Sequence, residues 1–487
     1  MSKLRRSLVI NFFSSSGAVV LQFIASVIIA RMLSPHEIGV FSMTVVFVNI
    51  AHIFRDFGVS TYLQREPNLT EEKMRAAIGV MFTSSWIIAI SLFFASDLIA
   101  RALDEPSMVP VMQVLAIGFL FNPFGSVTHA LLSREFAADK QAYVTAAGTI
   151  SFCVSSVALA ALGFGKMSLA WANLINIVVC GLAYIPLRPK GLPWLPSFRH
   201  WRDVVHFGMG SLIASLAQAV NNAVPDILLG KLGGARLVGL FSRANSTVTI
   251  FTYVAGSTVS YGAVSYLSQS HHRGESLVPV LRRSTSLLTG VGWPALALTA
   301  LLGKDIVLAL YGPTWLEGVP AILPLTIAAA ITMLFTYTPH AFTAIGRPYL
   351  GAAPLVVTLL ARIGFGYYLF DGTLISFSWA IMLATLVAVP IMLVQQSHYL
   401  HFGSRHLFGA MRKSAVVTVI CLAATEGLRM LLPQSIPALA RLAIIALPLM
   451  GTWYLALRVV QHELLGEVHH LWAALKARCG TLRVWPR

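Results

Sequence analysis

The sequence predicts an all-α integral membrane protein of about fourteen transmembrane helices, built as two six-helix lobes related as parallel repeats plus two extra C-terminal helices. Three observations carry that expectation. The 487 residues are 56% hydrophobic and only 11% charged, with a mean hydropathy of +0.75, whereas a soluble domain carries roughly a quarter charged residues. The apolar residues fall in runs near the roughly 20 residues that a spanning helix requires. A hairpin-like stretch also returns at a fixed offset of 200 residues, as expected of a transporter made of two similar lobes.

The repeated stretch is IIARMLSPHEIGVFS at residues 28–42 and LLGKLGGARLVGLFS at 228–242, which sets Arg31 over Lys231, Gly39 over Gly239, Phe41 over Phe241 and Ser42 over Ser242. Each copy ends one apolar run with a cation and opens the next after a glycine. A second echo follows in the same order. Pro110 to Arg134 resembles Pro320 to Arg347, each with a mid-span proline (Pro123, Pro339), a histidine (His129, His340) and a closing arginine.

In chain order, the first run continues to about Met32 from a basic start (Lys3, Arg5, Arg6) without a small-residue cleavage site, so it reads as a retained span rather than a signal peptide. Further spans are expected near 38–63, 76–96, 108–132, 143–163 and 168–187, completing an N-terminal lobe over residues 1–187. Residues 188–203, rich in proline, tryptophan and cations, read as a cytoplasmic interfacial linker lying on anionic headgroups. Spans near 204–230, 237–266, 284–303, 319–345, 349–370 and 373–396 make a C-terminal lobe over 204–396, and two extra spans occupy 397–460. Residues 461–487 form an amphipathic tail on the cytoplasmic surface. Of the 35 Lys and Arg, 24 fall on the side of the N-terminus, eight on the other side and three within spans. That bias puts both termini in the cytoplasm. The net charge of +16 is therefore a matter of topology, and no nucleic-acid partner is expected.

The hairpin residues Ala30-Arg31-Met32-Leu33-Ser34-Pro35 with Gly39, Asp56-Phe57-Gly58, Gln64-Arg65, Gly239-Leu240-Phe241-Ser242-Arg243-Ala244 and Gly346-Arg347-Pro348 together resemble the Wzx-type polysaccharide flippases. These belong to the superfamily that also holds multidrug extruders and the lipid II flippase. The resemblance covers roughly residues 1–400. It implies export of an undecaprenyl-diphosphate-linked oligosaccharide repeat unit across the inner membrane by alternating access, beside a polysaccharide polymerase and a chain-length regulator. Two departures stand out: Gly233-Gly234 replaces Ser34-Pro35 in the second hairpin, and the first span has no Arg, Asp or Glu between Ser7 and Ala30. In the second respect the chain is similar neither to the lipid II branch, with arginines there, nor to multidrug members, with an acid there.

A lipid diphosphate needs cations facing a wet cavity in a layer where ions are costly. Arg55, Arg362 and Arg243 are the candidates within spans. His52, Arg55 and Asp56 share one helix face at i, i+3 and i+4, and the structural alternative for Arg55 is a local pair with Asp56 or snorkelling. Arg362 is too central to snorkel and has no acid one turn away. Arg243 lies about 9 Å from the start of its span, so snorkelling competes with a cavity role. Asp226, after Pro225 and about one turn past Asn221 and Asn222, is the foremost candidate for H+ or Na+ coupling, with Asp56 second. The rival reading of Asp226 is a partner for Lys231. Arg31, Gly39, Lys231 and Gly239 mark the hinges. Glu426 with Arg429 at i+3 reads as a local pair.

No cofactor or metal is expected. The four cysteines lack metal-type spacing and read as packing residues, and His271-His272 and His469-His470 have no further ligands nearby. An enzyme is disfavoured because no loop is long enough for a catalytic domain and no paired external carboxylates are present. The remaining alternative is a multidrug or small-solute exporter of the same superfamily.

Overall fold

The computed structural model describes residues 3–469 except 57, 67, 136, 190, 194, 195, 198–200 and 434. Phe57 of the Asp56-Phe57-Gly58 motif, Lys190 and Arg199 of the expected linker, and the tail from residue 470 lie outside the described residues. All the regular structure described is helical. Among the described residues, eleven helices are long and apolar enough to cross a membrane, or twelve if one bent pair counts as a single span. The expected spans at 204–230 and 237–266 fall on one further helical stretch.

The chain forms two compact units, one of Met1–Ser242 with Arg362–Phe377, the other of Arg243–Ala361 with Ser378–Arg487. The helices are α1 (Lys3–Met32), α2 (Pro35–Asp56), α3 (Val59–Arg65), α4 (Glu71–Ala102), α5 (Met108–Phe121), α6 (Pro123–Arg134), α7 (Ala138–Ala161), α8 (Met167–Tyr184) and α9 (Trp201–His272). They continue with α10 (Val278–Leu301), α11 (Gly303–Leu310), α12 (Ile322–Met333), α13 (Thr338–Ala344), α14 (Ala352–Tyr368), α15 (Leu374–Leu400), α16 (Ser404–Leu431) and α17 (Ala438–Val459).

In the first unit, local chemistry sets the breaks. The turn into α2 is a capping box: Glu37 N–H donates to Ser34 Oγ (3.3 Å), and Glu37 Oε2 accepts from Ser34 N–H (2.8 Å), with Pro35 opening the helix. The second copy lacks those residues and solves the turn differently. Gly234 adopts φ 78, ψ 173, a conformation open almost only to glycine. The expected span 108–132 is broken at Pro123, where α5 and α6 meet at 56°. α7 packs between α1 and α8, and α5 lies against α4 and α8. α3, α4 and α6 share an apolar cluster that includes Leu63, Met81 and Ala130. Leu192 of the linker is buried in it, and Ser197 N–H donates to Arg75 O at 3.0 Å. This part of the linker is seated on protein.

The two hairpin copies meet in this unit. A β-carbon on Gly39 would lie 1.7 Å from Ala235 O, and one on Gly239 would lie 1.8 Å from Pro35 O. The two glycines therefore contact, each in turn, the carbonyl four residues before the other. Ser42 Oγ donates to Ser242 Oγ at 3.2 Å just beyond. Small residues of this kind let membrane helices approach to backbone contact.

In the second unit α10 packs on α16 and α12, α16 on α17, and α11 on α17. Arg441 on α17 forms a buried ion pair with Asp305 on α11 at 3.2 Å. Past α17 the chain turns back onto the bundle. His462, 2% exposed, accepts the Leu464 N–H on Nδ1 (3.1 Å), so its Nε2 carries the proton and donates to Ser414 Oγ at 3.0 Å. Ser414 in turn bonds Thr289 Oγ1 at 2.8 Å. Lys413 Nζ donates to Gln461 O (2.6 Å), and Arg282 and Arg283 pair with Glu463 (3.4 Å) and Glu467 (2.6 Å).

Two outcomes follow from these contacts. Gly39→Ala should lower the melting midpoint of the purified protein, because the methyl group has no room against Ala235 O. Gly17→Ala, which meets nothing within 4 Å, should raise it or leave it unchanged. Burial, and to a lesser degree Lys413, hold His462 below its ordinary value of 6.5, with Glu463 acting in the opposite sense. The folded form therefore stays neutral while the unfolded chain takes up a proton. The stabilisation is full above 6.5 and is lost as pH falls below it. Thermal unfolding between about pH 5 and 8 should show this acid slope, and His462→Gln should reduce it.

Candidate functional site

The last turn of α2 brings His52, Arg55 and Asp56 to one face of the helix, and the kink between α5 and α6 supplies what they meet. The His52 ring lies 4.5 Å from that of Phe119, tilted by 36°. The Arg55 carbonyl accepts from Ser84 Oγ at 2.7 Å, which ties the end of α2 to α4. Arg55 Nη1 donates to Ser126 Oγ at 3.3 Å, a long contact, and Ser126 Oγ itself donates to Asn122 O at 2.8 Å. Asp56 does not pair with this guanidinium. Its Oδ1 accepts from Ser60 Oγ at 2.6 Å.

Around Arg55 lies a cavity of about 280 Å³, at the small end of the roughly 300–1,000 Å³ usual for small-molecule sites. Ser126, Asn122, His129, Asn176 and Tyr184 contribute to its wall. His129 Nδ1 and Tyr184 OH are 2.9 Å apart, and Asn176 Nδ2 donates to Gly148 O at 2.7 Å. Arg55 Nε and Asn122 Nδ2 are buried donors without acceptors. Each such donor costs about 1–3 kcal/mol. One guanidinium in a wall of neutral polar side chains suits a ligand that carries acceptor oxygens and negative charge.

The other residues singled out in the sequence are placed as follows. Arg362 sits in the same unit, where its Nη1 donates to Asn221 O (2.7 Å) and Asn221 Oδ1 (2.6 Å). Asp226 is half-buried on α9. Among the described residues it makes no hydrogen bond or ion pair, because Lys231 turns instead to Asp104 at 2.6 Å. Gln218 Nε2 donates to Asn222 Oδ1 at 3.2 Å, so Gln218, Asn222 and Asp226 form a polar row at four-residue spacing on α9. Arg31 is exposed at the end of α1. Arg243 belongs to the second unit, where its Nε is buried without an acceptor, and Thr247, one turn on, bonds Tyr311 OH at 3.3 Å. Glu426 and Arg429 pair at 3.2 Å, as their spacing predicts. Among the described residues no cluster of three or more His, Cys, Asp or Glu could hold a metal.

Asn122, Ser126, Asn176 and Tyr184 were not anticipated. The signal available was the Pro123 and His129 of the second sequence echo, which marked a polar kink without saying that it faces Arg55.

The fold defines a class, a multi-span helical membrane protein. The solved structure of the lipid II flippase MurJ in an inward closed conformation superposes with a TM-score of 0.75 over 93% of this chain and 99% of that one. An inward-facing multidrug resistance MATE transporter of the MOP superfamily superposes with a TM-score of 0.63, over 81% of this chain and 96% of that one. At 12% and 16% identity these are likenesses of fold.

The chain belongs to the polysaccharide biosynthesis protein family, whose profile matches residues 28–320. It is 22% identical to the succinoglycan biosynthesis transport protein ExoT of Rhizobium meliloti, over 68% of this chain and 67% of that one. It is 21% identical to the teichuronic acid biosynthesis protein TuaB of Bacillus subtilis, over 69% and 70%. Against the lipopolysaccharide biosynthesis protein WzxC of Escherichia coli the identity is 18%, over 61% and 60%.

Because Arg55 contributes one long hydrogen bond and one unmatched donor, Arg55→Met should leave the melting midpoint unchanged or raise it, whereas surface polysaccharide in cells that carry only that variant should fall. Such a divergence of stability from activity marks a binding residue rather than a structural one. Thermal unfolding of the purified variant, alongside surface polysaccharide in cells that carry only that variant, reads both quantities.

Proposed function

We propose that this protein flips polyprenyl-diphosphate-linked oligosaccharide repeat units across the inner membrane for surface polysaccharide synthesis, by alternating access of two lobes in a fourteen-span transporter with both termini in the cytoplasm. The observation that carries the proposal is Arg55: a guanidinium inside a span that makes no ion pair with the adjacent Asp56, beside a cavity walled by neutral polar side chains. A phosphate oxygen is an acceptor that suits such a guanidinium. The size of the cavity suits a diphosphate with the sugar next to it rather than a whole repeat unit. The names of the relatives, all in polysaccharide biosynthesis, point to the same class of cargo.

The lipid chain requires a different surface. In the second unit Pro294, Leu298, Ile445, Leu449 and Trp453 line a predominantly apolar groove of about 410 Å³ between α10 and α17, chemistry that suits a polyprenyl tail. Coupling to H+ or Na+ is assigned to Asp226, the carboxylate without a partner, ahead of Asp56, which Ser60 engages. The unneutralised cation at Arg55 disfavours cationic drugs as cargo, and the sugar chemistry of the product falls to a polymerase and its chain-length regulator.

Deleting the gene should cause completed lipid-linked units to accumulate and surface polymer to fall, as read by mass spectrometry of the lipid extract. The wild-type gene should restore both and Arg55→Ala should not. An unchanged lipid-linked pool and polymer, with new sensitivity to small toxic solutes, would turn the reading to solute export.

A further inference from the structure

The sequence offered Arg362 as a cation for the substrate, but its contacts suggest another task. Pro225 lies inside α9. A proline has no N–H, so the carbonyl four residues earlier loses its helical donor, and the ring pushes that carbonyl out of line. Here the carbonyl is that of Asn221, a residue 4% exposed within a span, where a backbone group without a donor is costly. Arg362 Nη1 donates to Asn221 O at 2.7 Å and to Asn221 Oδ1 at 2.6 Å. The guanidinium thus supplies from outside the hydrogen bond that Pro225 removed, and grips the side chain of the same residue.

The packing that brings it there is local. Gly366, one turn after Arg362, comes so close to α9 that a β-carbon would lie 2.4 Å from Leu228 Cδ2. Phe377, 81° from Phe241 and 88° from Phe370, fills the next layer. The end of α14 is thereby held against α9 on either side of Pro225, with Arg362 facing Asn221 and Gly366 facing Leu228. Asp226 is the residue directly after the proline, so whatever holds α9 at the proline also holds the backbone that carries this carboxylate.

We propose that Arg362 is a positioning residue that stands in for the missing N–H of Pro225, holding α9 at the proline and with it the polar row of Gln218, Asn222 and Asp226. Its effect on export rests on the flippase reading; its effect on the fold does not. The two residues are coupled: the arginine is needed because the proline is there.

A double-mutant cycle tests this coupling. The full-length protein is made as wild type, Arg362→Met, Arg362→Lys, Pro225→Ala and the pair Pro225→Ala/Arg362→Met. Each is assayed for melting midpoint in detergent and for restoration of surface polymer in a deletion strain. Arg362→Met should lower the midpoint by several degrees and polymer several-fold, and Arg362→Lys, which keeps a charged donor, should lose less. Adding Pro225→Ala to Arg362→Met gives Asn221 O a backbone donor again and should recover more than half of the lost midpoint, with polymer following. A midpoint that does not recover in the pair, or that Arg362→Met leaves unaltered, overturns the proposal. Recovery of the midpoint with export still absent overturns the positioning role and returns Arg362 to the substrate-binding cations. If wild type itself fails to restore polymer, the flippase reading falls while the midpoint cycle still decides the structural claim.

Discussion

Every polar group that this chain carries into the membrane must find its partner within the protein, because the hydrocarbon offers none. The arginines show how that constraint is met. Arg134 donates to the carbonyls of Leu63 and Glu66 at the end of α3, which a helix leaves without intrahelical donors. Arg429 donates to Leu301 O at the end of α10, and Arg441 to Ile436 O while pairing with Asp305. Arg362 does the same in mid-helix at Asn221 O. Four arginines thus spend their donors on main-chain oxygens. Arg55 and Arg243 do not: among the described residues neither side chain donates to a backbone carbonyl, although an Nε without an acceptor is common to them and to Arg362 and Arg441. A charge that a fold carries without using it to complete its own backbone is best explained by something that arrives from outside.

The glycines answer a second constraint, the absence of a hydrophobic drive between helices in lipid. Gly39 and Gly239 gain cohesion by bringing backbones together, and the exchange of contacts with Ala235 O and Pro35 O is reciprocal. Such reciprocity arises when two similar pieces meet about an axis between them. The two turns are nonetheless made by different chemistry, a capping box at Ser34 and Glu37 and a glycine-only conformation at Gly234. The packing position carries glycine in both stretches, while the turn beside it is made by different residues.

Much of this was legible in the sequence. Hydropathy located most of the spans, and the offset of 200 residues picked out Gly39 with Gly239 and Ser42 with Ser242, pairs that are in contact in the structure. The spacing of Glu426 and Arg429 predicted their ion pair. What stayed hidden depends on contacts between distant spans. Nothing within eight residues of Arg362 says that it lies opposite the carbonyl freed by Pro225, 141 positions away from Asn221. Likewise Lys231, next to Asp226 in sequence terms, is drawn off by Asp104. Asn122, Ser126 and Tyr184 looked like ordinary polar interruptions of apolar runs, and only the 56° bend at Pro123 gives two of them a common wall with Arg55.

The two helices beyond the sequence repeat bear on how the proposed cargo would be divided. α16 is packed into the second unit against α10, and the chain past α17 is fastened to the same helices through His462, Ser414 and Thr289. α16 and α17 are packed on that unit along one face, and α17 together with α10 walls the apolar groove. The cavity at Arg55, in the first unit, is polar and small. A single amphipathic substrate has two parts with opposite solvation needs, and burying a diphosphate among Leu and Pro side chains would cost far more than the contacts return. Two surfaces of opposite chemistry, each built into a different unit, are what a carrier of a lipid-linked anion requires; a carrier of a small uniform solute needs only one.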